Sequence, residues 1–232
     1  MLELSEQMVP VHPAATVVLM RDGPTGPEVL LVQRNAALKH MGGEWVFPGG
    51  RVDPADYTEP GDDYQAAVNA AIRETGEEAG VVIAPDQLSY LSHWTTPEGA
   101  KRRYSTWFFL AVLDDDQEIR VDGGEIAAHR WLRPQQAFAE IRDTDNVFRL
   151  LPPTFVSLAD LADHDCCTAA QAAVRERQPF LYAPRMVMLE GGICFLYEGD
   201  AGYEDCCESA TGPRHRTYMI NYQLEYIREL PR

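Results

Sequence analysis

Three absences in this sequence narrow the class of protein. No run of apolar residues reaches the roughly 18 that a membrane-spanning helix needs, and residues 1–10 contain Glu3 and Glu6 where a secretory signal would be basic and then apolar. The last three residues, Leu-Pro-Arg, are not a peroxisomal address. The sequence therefore predicts a cytoplasmic protein that does not bind a membrane.

Basic residues are scarce. The chain has 20 Lys and Arg against 36 Asp and Glu, a formal net charge of −16. A surface that binds a phosphate backbone needs clustered cations, so no nucleic-acid partner is expected. A small phosphorylated ligand is compatible with this charge, because local cations and a bound metal ion outweigh the overall field.

Cysteines are few, and their spacing does not suit zinc. Two adjacent pairs, Cys166-Cys167 and Cys206-Cys207, and a single Cys194 leave no two thiols at the two-residue gap of a zinc knuckle. We predict reduced thiols; the alternative, disulfides between the two pairs, is disfavoured in a reducing compartment.

What the sequence does contain is a cluster of carboxylates in residues 73–81, Arg-Glu-Thr-Gly-Glu-Glu-Ala-Gly-Val. At about 100° per residue on a helix, Glu74, Glu77 and Glu78 fall on the face opposite Ile72. Ile72 would then pack on a sheet while the three glutamates point outward together, and Gly80 would cap the helix.

Three crowded carboxylates repel one another unless a cation neutralises them. Mg²⁺ or Mn²⁺ suits such a site, since hard divalent cations prefer carboxylate oxygens and also bind substrate phosphates. The alternative is a solvated acidic face.

A glycine-rich segment before the helix favours the metal site. Residues 45–52 read Trp-Val-Phe-Pro-Gly-Gly-Arg-Val, and the paired glycines let the backbone approach a ligand closely. Together with residues 73–81, this segment resembles the signature of the Nudix hydrolase superfamily: a glycine, a glutamate, Arg-Glu, a pair of glutamates and a closing glycine. The second half of the signature is complete here.

The first half departs from the family's pattern. Gly50 lies 23 residues before Arg73, a longer interval than the signature has, which indicates an insertion at about residues 53–63. The first glutamate has no clean counterpart, because counting back from Arg73 reaches Gln65 and counting forward from Gly50 reaches Asp56. Asp62 or Asp63 is expected to replace it.

The hydrophobic pattern predicts alternating strands and helices. Strands are expected at residues 14–20, 29–34, 88–95, 104–113 and 126–132, and helices at 64–79 and 134–142. The resemblance implies an α/β (α+β) fold, an α/β/α sandwich with a mixed sheet, in a domain of residues 1–150.

The pattern of apolar and polar residues changes after residue 150. Residues 151–232 are predicted to form an extension that packs on the core, with helices at 155–161 and 168–177 and strands at 186–189, 193–197 and 216–226. The alternatives are that it lines the pocket or holds a homodimer. Residues 198–203 are loop-like, either a surface turn or a segment that reaches the active site, and Asp114, Asp115 and Asp116 are taken as a solvated turn.

The resemblance implies roles for the signature residues. Glu74, Glu77 and Glu78 would hold Mg²⁺ or Mn²⁺, with the Gly49 or Gly50 carbonyl as a further ligand. Arg73 would fix a glutamate rotamer, and a general base would come from this helix or from a loop outside it.

The candidate base outside the helix is Glu125, which follows Asp122-Gly123-Gly124; its alternative role is that of a solvated turn acid. Counting the helix and the loop together, the predicted catalytic residues are Arg73, Glu77 and Glu125.

Residues 30–35, Lys39 and the Phe-Pro-Gly-Gly run resemble the motif of the coenzyme A diphosphatase branch. The implied activity is metal-dependent hydrolysis of a nucleoside diphosphate linked to another group, with CoA or acyl-CoA as the leading substrate. ADP-ribose, a dinucleotide or an oxidised nucleotide are alternative substrates, and a Nudix-fold nucleotide sensor or an interaction module are alternative functions. Substrate phosphates would be bound by basic residues, each of which is otherwise a surface cation: Arg34, Lys39, Arg51, Arg102 and Arg103.

Overall fold

The computed structural model describes residue 5 and residues 9–113, 117–143 and 147–229. Within them the helices are α1 (Asp63–Ala79), α2 (Pro134–Arg142), α3 (Pro152–Leu161) and α4 (Cys167–Glu176). The strands are β1 (Val11–Gly23), β2 (Gly26–Arg34), β3 (Trp45–Val46), β4 (Gly49–Arg51), β5 (Ser89–Thr95), β6 (Arg103–Val112), β7 (Ile126–Leu132), β8 (Phe180–Tyr182), β9 (Arg185–Leu189), β10 (Gly192–Leu196), β11 (His215–Ile220) and β12 (Gln223–Arg228). No helix in this part of the chain is long and apolar enough to cross a membrane.

The larger sheet is mixed. Its order is β3-β2-β1-β6-β5-β8, with β4 paired to β1 and β7 paired to β2. The pairs β1/β6 and β5/β8 are parallel, and the other pairs are antiparallel.

Strand β1 is buried on both faces because helices cover both sides of this sheet. Val18 and Met20 belong to the cluster that α2, α3 and α4 complete, whereas Val17 and Leu19 belong to the cluster that α1 completes. This alternation is the period of two that a strand imposes, and a strand covered on both sides is apolar throughout. The predicted α/β/α sandwich with a mixed sheet is confirmed.

Three short strands were not predicted from the sequence: β3, β4 and β8. In β3 and β4 the intervening Pro48 and the glycines favour a loop, yet pairing with β1 and β2 extends the segment. Gly49 has φ of 155°, and a Cβ there would lie 2.4 Å from the Ala15 carbonyl oxygen, so close pairing with β1 requires glycine.

The second sheet is antiparallel, in the order β12-β11-β10-β9. The prediction of one strand over residues 216–226 is wrong, because the chain reverses after Ile220. Asn221 and Tyr222 both have positive φ, 48° and 65°. That pair of conformations is typical of a two-residue hairpin turn, in which asparagine is favoured.

The residues after 150 share a core with those before it. Strand β8 extends the larger sheet, with Ser92 of β5 opposite Phe180. One apolar cluster joins Trp94 of β5 to Phe155, Tyr182 and Tyr197, and the Trp94 and Tyr182 rings stack at 4.0 Å. The extension therefore buries the face of the sheet that α1 does not cover.

An ion pair between Asp200 and Arg216 is buried inside this extension. The Arg216 guanidinium donates two hydrogen bonds of 2.7 Å to the Asp200 carboxylate, and both side chains have no exposed surface. Burial alone would raise the pKa of Asp200, but its bonds to Arg216 and to the His215 and Gly202 amides hold it below its usual value. Asp200 thus anchors the 198–203 loop. The loop was predicted from the sequence, but this role of Asp200 was not.

Two remaining predictions concern the cysteines and an acidic turn. All five cysteines are free thiols, as predicted. The predicted solvated turn of residues 114–116 lies outside the described residues.

Candidate active site

Helix α1 is bounded by the residues that its sequence indicates. The Asp62 carboxylate accepts a hydrogen bond of 2.9 Å from the Gln65 amide at the first turn. Gly80 ends the helix in the left-handed conformation, with φ of 69°. Because Asp62 caps the helix and Asp63 accepts from the Tyr57 hydroxyl, the expectation that one of them replaces the missing glutamate is wrong.

Asp56 takes that place beside Arg73. The Arg73 guanidinium donates two hydrogen bonds to its carboxylate, 3.1 Å from Nε and 2.9 Å from Nη2. Burial alone would raise the pKa of Asp56, whose exposed fraction is 6%, but these bonds hold it below its usual value. The short turn Pro54–Asp56 belongs to the signature loop, so the inserted residues begin after Asp56 and not at residue 53.

Arg73 also bonds to the helix carboxylates. Its Nη1 donates to Glu74 at 2.9 Å and to Glu77 at 3.3 Å, and its Nη2 donates to the Arg51 carbonyl at 3.1 Å. One guanidinium therefore ties the signature loop to α1 and bonds two of its glutamates.

The two signature glycines lie against two of the glutamates. The Gly49 amide donates a hydrogen bond of 2.8 Å to Glu78 Oε2. A Cβ on Gly50 would lie 2.3 Å from Glu74 Oε1, closer than any side chain allows. With Glu74 in this position, there is no room for a side chain at residue 50.

The three glutamates are not equally exposed, which corrects the expectation that all three point outward. The Glu77 side chain is 61% exposed, but that of Glu74 is 16% exposed and Glu78 is buried. Burial raises the pKa of Glu78 to about 8, and the nearby Glu74 and Glu125 carboxylates add to the increase. Burial also raises the pKa of Glu74, and the Glu77 and Glu125 carboxylates add to that increase.

Glu125 lies beside this cluster, since its charge raises the pKa of both Glu74 and Glu78. Its backbone is fixed by the Asp122 carboxylate, which accepts from the Glu125 and Ile126 amides at 2.8 Å each. Its own carboxylate is half exposed and lies 2.8 Å from Arg34 Nη2. A half-exposed carboxylate beside buried ones is suited to exchange protons with solvent.

The chemistry of these oxygens fits a hard divalent cation. In the part of the chain that the structure describes, no three His, Cys, Asp or Glu side chains are already gathered for a metal ion. Arg73 instead engages Glu74 and Glu77, and Gly49 engages Glu78. Burial first, and then the charges of neighbouring carboxylates, raise the pKa values of Glu74 and Glu78.

Comparison with known proteins identifies the family to which this chain belongs. A model of the NUDIX domain matches residues 10–152. The chain belongs to the Nudix family. It is a hydrolase of substrates in which a nucleoside diphosphate is linked to another group, and Nudix hydrolases generally use divalent metal ions.

Relatives and solved structures agree with this family. A putative nudix hydrolase of Caenorhabditis elegans is 26% identical over 230 residues, covering 83% of this chain and 74% of that protein. A human acyl-coenzyme A diphosphatase is 27% identical over 121 residues, covering 48% of this chain and 31% of that protein. A crystal structure of a NUDIX hydrolase from Alicyclobacillus acidocaldarius has a TM-score of 0.63 at 25% identity, covering 72% of this chain and 97% of that chain.

The predicted substrate cations of this Nudix hydrolase do not form one group. Arg34 pairs with Glu125, Arg51 lies 3.2 Å from His12, and Arg103 donates to the Thr96 carbonyl. Lys39 instead lines a cavity of about 570 Å³. These four of the five predicted positions therefore lie in separate environments.

That cavity gathers residues that sequence reasoning missed or only partly found. Lys101 and Arg149 line it together with Lys39 and Arg102. Arg102 was predicted from its position next to Arg103, but nothing in the local sequence marks Arg149, which the fold brings in from after α2. Tyr104 also lines the cavity, whereas Trp45 is buried against Phe148.

Proposed function

We propose that this protein is a Mg²⁺- or Mn²⁺-dependent diphosphatase whose substrate is CoA or an acyl-CoA. The products would be 3′,5′-ADP and a 4′-phosphopantetheine. The observation that carries the catalytic part is the group of carboxylates beside the paired signature glycines, where the charge of Glu125 adds to the raised pKa of both Glu74 and Glu78.

In this proposal Glu74, Glu77 and Glu78 hold the metal ions, with the Gly50 carbonyl as a further ligand. The bound metal neutralises phosphoryl charge and lowers the pKa of water. Arg73 positions the ligands, because its bonds to Asp56 and the Arg51 carbonyl fix it to the loop. When Glu74 and Glu77 hold a metal ion, Arg73 would keep its bonds to Asp56.

The general base we assign is Glu125. Its half-exposed carboxylate is held near the helix glutamates by a rigid turn, and Arg34 orients it through one ion pair. Glu77, which is also exposed and lies on α1, is the second candidate for this role.

Two observations support CoA as the substrate. The human relative is named an acyl-coenzyme A diphosphatase, and the segment from Leu30 to Gly50 resembles the motif of that branch. The cavity next to the signature loop joins basic with apolar residues, which suits a phosphorylated substrate with a long organic arm.

The test is product release from CoA, acyl-CoA, ADP-ribose, NADH and nucleoside triphosphates, with Mg²⁺, with Mn²⁺ and with a chelator. We expect metal-dependent cleavage of CoA or its thioesters, with kcat/KM above that for the others. Preferred cleavage of ADP-ribose or a dinucleotide would overturn the substrate assignment. Metal binding without any cleavage would favour a nucleotide sensor.

Glu125→Gln tests the base. We expect kcat to fall by about 10²–10⁴-fold, the range for loss of a general base, and the acidic limb of the pH–rate profile to lose its dependence on this group. Metal affinity, measured by calorimetry, should stay near that of the wild type. A pH–rate profile that is unchanged in the variant would return Glu125 to the role of a solvated turn acid and point to Glu77.

A further inference from the structure

The cavity of about 570 Å³ is built from both halves of the chain. Phe47 and Phe108 line it from the larger sheet, and Phe195, Met219 and Tyr222 line it from residues after 150. Its volume lies within the roughly 300–1,000 Å³ typical of small-molecule sites. The extension therefore shapes a ligand-sized space that the larger sheet alone does not enclose.

This cavity adjoins the helix carboxylates through one backbone segment. Thr16 lines the cavity, stands opposite Gly49 in the β1/β4 register, and donates a hydrogen bond of 2.6 Å to the Pro48 carbonyl. On the same segment, the Gly49 amide donates to Glu78. A substrate whose diphosphate lies at the glutamates can extend past Pro48-Gly49 into the cavity.

The cavity combines cations with apolar surface. Lys39, Lys101, Arg102 and Arg149 line it in a chain whose net charge is −16. Such a local concentration of cations against the overall charge favours an anionic ligand. The Arg149 guanidinium is 4.3 Å from the centre of the Tyr222 ring, which fixes one of these cations against the extension.

The aromatic wall favours a flexible arm over a flat base. Trp94 is stacked on Tyr182 at 4.0 Å, and Phe47 meets Phe108 edge to face at 6.3 Å. Because these rings are engaged with one another, they form a continuous apolar wall. A flexible chain packs against such a wall without needing an open ring face.

Two buried polar atoms in the wall have no hydrogen-bond partner among the described residues: Glu44 Oε2 and Trp94 Nε1. Both residues line the cavity, with exposed fractions of 7% and 4%. One is an acceptor and the other a donor, and buried groups of this kind are normally paired. A secondary amide supplies both complements, an N–H and a C=O.

We propose that this cavity binds the organic arm of the substrate, a flexible chain with secondary amides; Glu44 and Trp94 bond an amide, and Phe195 and Met219 contact the apolar end. The inference rests on the proposed hydrolysis of CoA-type substrates and extends it to the source of selectivity. The extension then acts as a specificity element for a reaction whose metal ligands all lie before residue 80.

The first measurement is binding of 4′-phosphopantetheine by calorimetry in the presence of a chelator, which requires neither metal nor turnover. We expect saturable binding to the full chain and at least about tenfold weaker binding to Glu44→Leu, because a site built to bond an N–H discriminates strongly when its acceptor is lost. Glu44→Gln keeps an acceptor oxygen and should restore part of the affinity. Absence of binding to the wild type would overturn the inference.

The second measurement is kinetic. Met219→Trp fills the apolar end of the cavity, so KM for long-chain acyl-CoA should rise about tenfold, the scale of a few methylene contacts, while KM for short-chain acyl-CoA changes less. Met188→Trp is the matched control, because Met188 is 60% exposed on β9.

The outcomes separate the two proposals. Arm binding without CoA cleavage would refute the proposed reaction and keep the cavity assignment. CoA cleavage with the same chain-length preference in Met219→Trp and Met188→Trp, or arm binding that Glu44→Leu leaves unchanged, would refute the cavity assignment and keep the reaction.

Discussion

Replacing Glu78 with glutamine should lower kcat/KM by at least about 100-fold. Mutation of residues that only support metal ligands already costs about 10–100-fold, and Glu78 is proposed as a ligand itself. The fold should survive, because the raised pKa of about 8 means that the buried carboxyl is mostly protonated at neutral pH in chelator. Glutamine has nearly the shape of that protonated form.

Thermal unfolding with and without Mg²⁺ separates these effects. A carboxyl whose pKa is raised in the folded state destabilises the protein above its unfolded pKa, so Glu78→Gln in chelator should melt no lower than the wild type at pH 7. The increase in Tm on adding Mg²⁺ should be lost. Glu118→Gln, at an exposed pair with Arg120, is the control. Activity near that of the wild type in Glu78→Gln would refute the metal role.

Arg216→Met should destabilise the protein by about 3–5 kcal/mol, the cost of breaking a buried ion pair from one side. The substitution leaves the buried Asp200 carboxylate without its cation, and only the His215 and Gly202 amides still donate to it. Urea unfolding at pH 7 measures the change in free energy. Arg185→Met is the matched control, because Arg185 and Glu204 form an exposed pair in the same extension and should contribute far less to stability.

The effect of Arg216→Met should depend on pH with a defined sign. The pKa of Asp200 is lowered in the folded wild type, so its stabilising contribution is present above the unfolded pKa and is lost as pH falls through the folded value. In the variant Asp200 can take up a proton at acidic pH and become neutral. The difference in unfolding free energy should therefore narrow from pH 7 to pH 4. Equal differences at both pH values would show that the loss comes from packing and not from charge.

Much of the larger sheet and its helices could be predicted from local pattern. The ends of α2 and β7 follow the sequence signals directly, and the capping glycine of α1 was recognised because its conformation is local. Asp56 was not chosen as the partner of Arg73, because the insertion between them offered several acidic residues and spacing alone does not distinguish them. Only the contact between Arg73 and Asp56 in the folded structure distinguishes Asp56 from the other acidic residues.

The cavity was beyond sequence reasoning for a different reason. Its walls come from residues far apart in the chain, such as Glu44, Trp94 and Met219, and each has an ordinary local context. The hairpin turn at Asn221 was missed because its second residue, Tyr222, seldom adopts positive φ. The three glutamates were expected to point to solvent because helix periodicity identifies the apolar face of α1 but not what packs on the opposite face. Strand β4 packs on that opposite face.

The pairing of β8 with β5 also has a consequence for how the chain folds. Ser92 meets Phe180, so the edge of the catalytic sheet is closed by a segment that is synthesised after all the proposed metal ligands. Contacts of such long sequence separation slow folding, since chain entropy is lost before they form. Until β8 pairs with it, β5 has an unpaired edge, and the free backbone groups of that edge can pair with other chains. The hydrolase half of this molecule thus depends on its C-terminal part for protection during biogenesis.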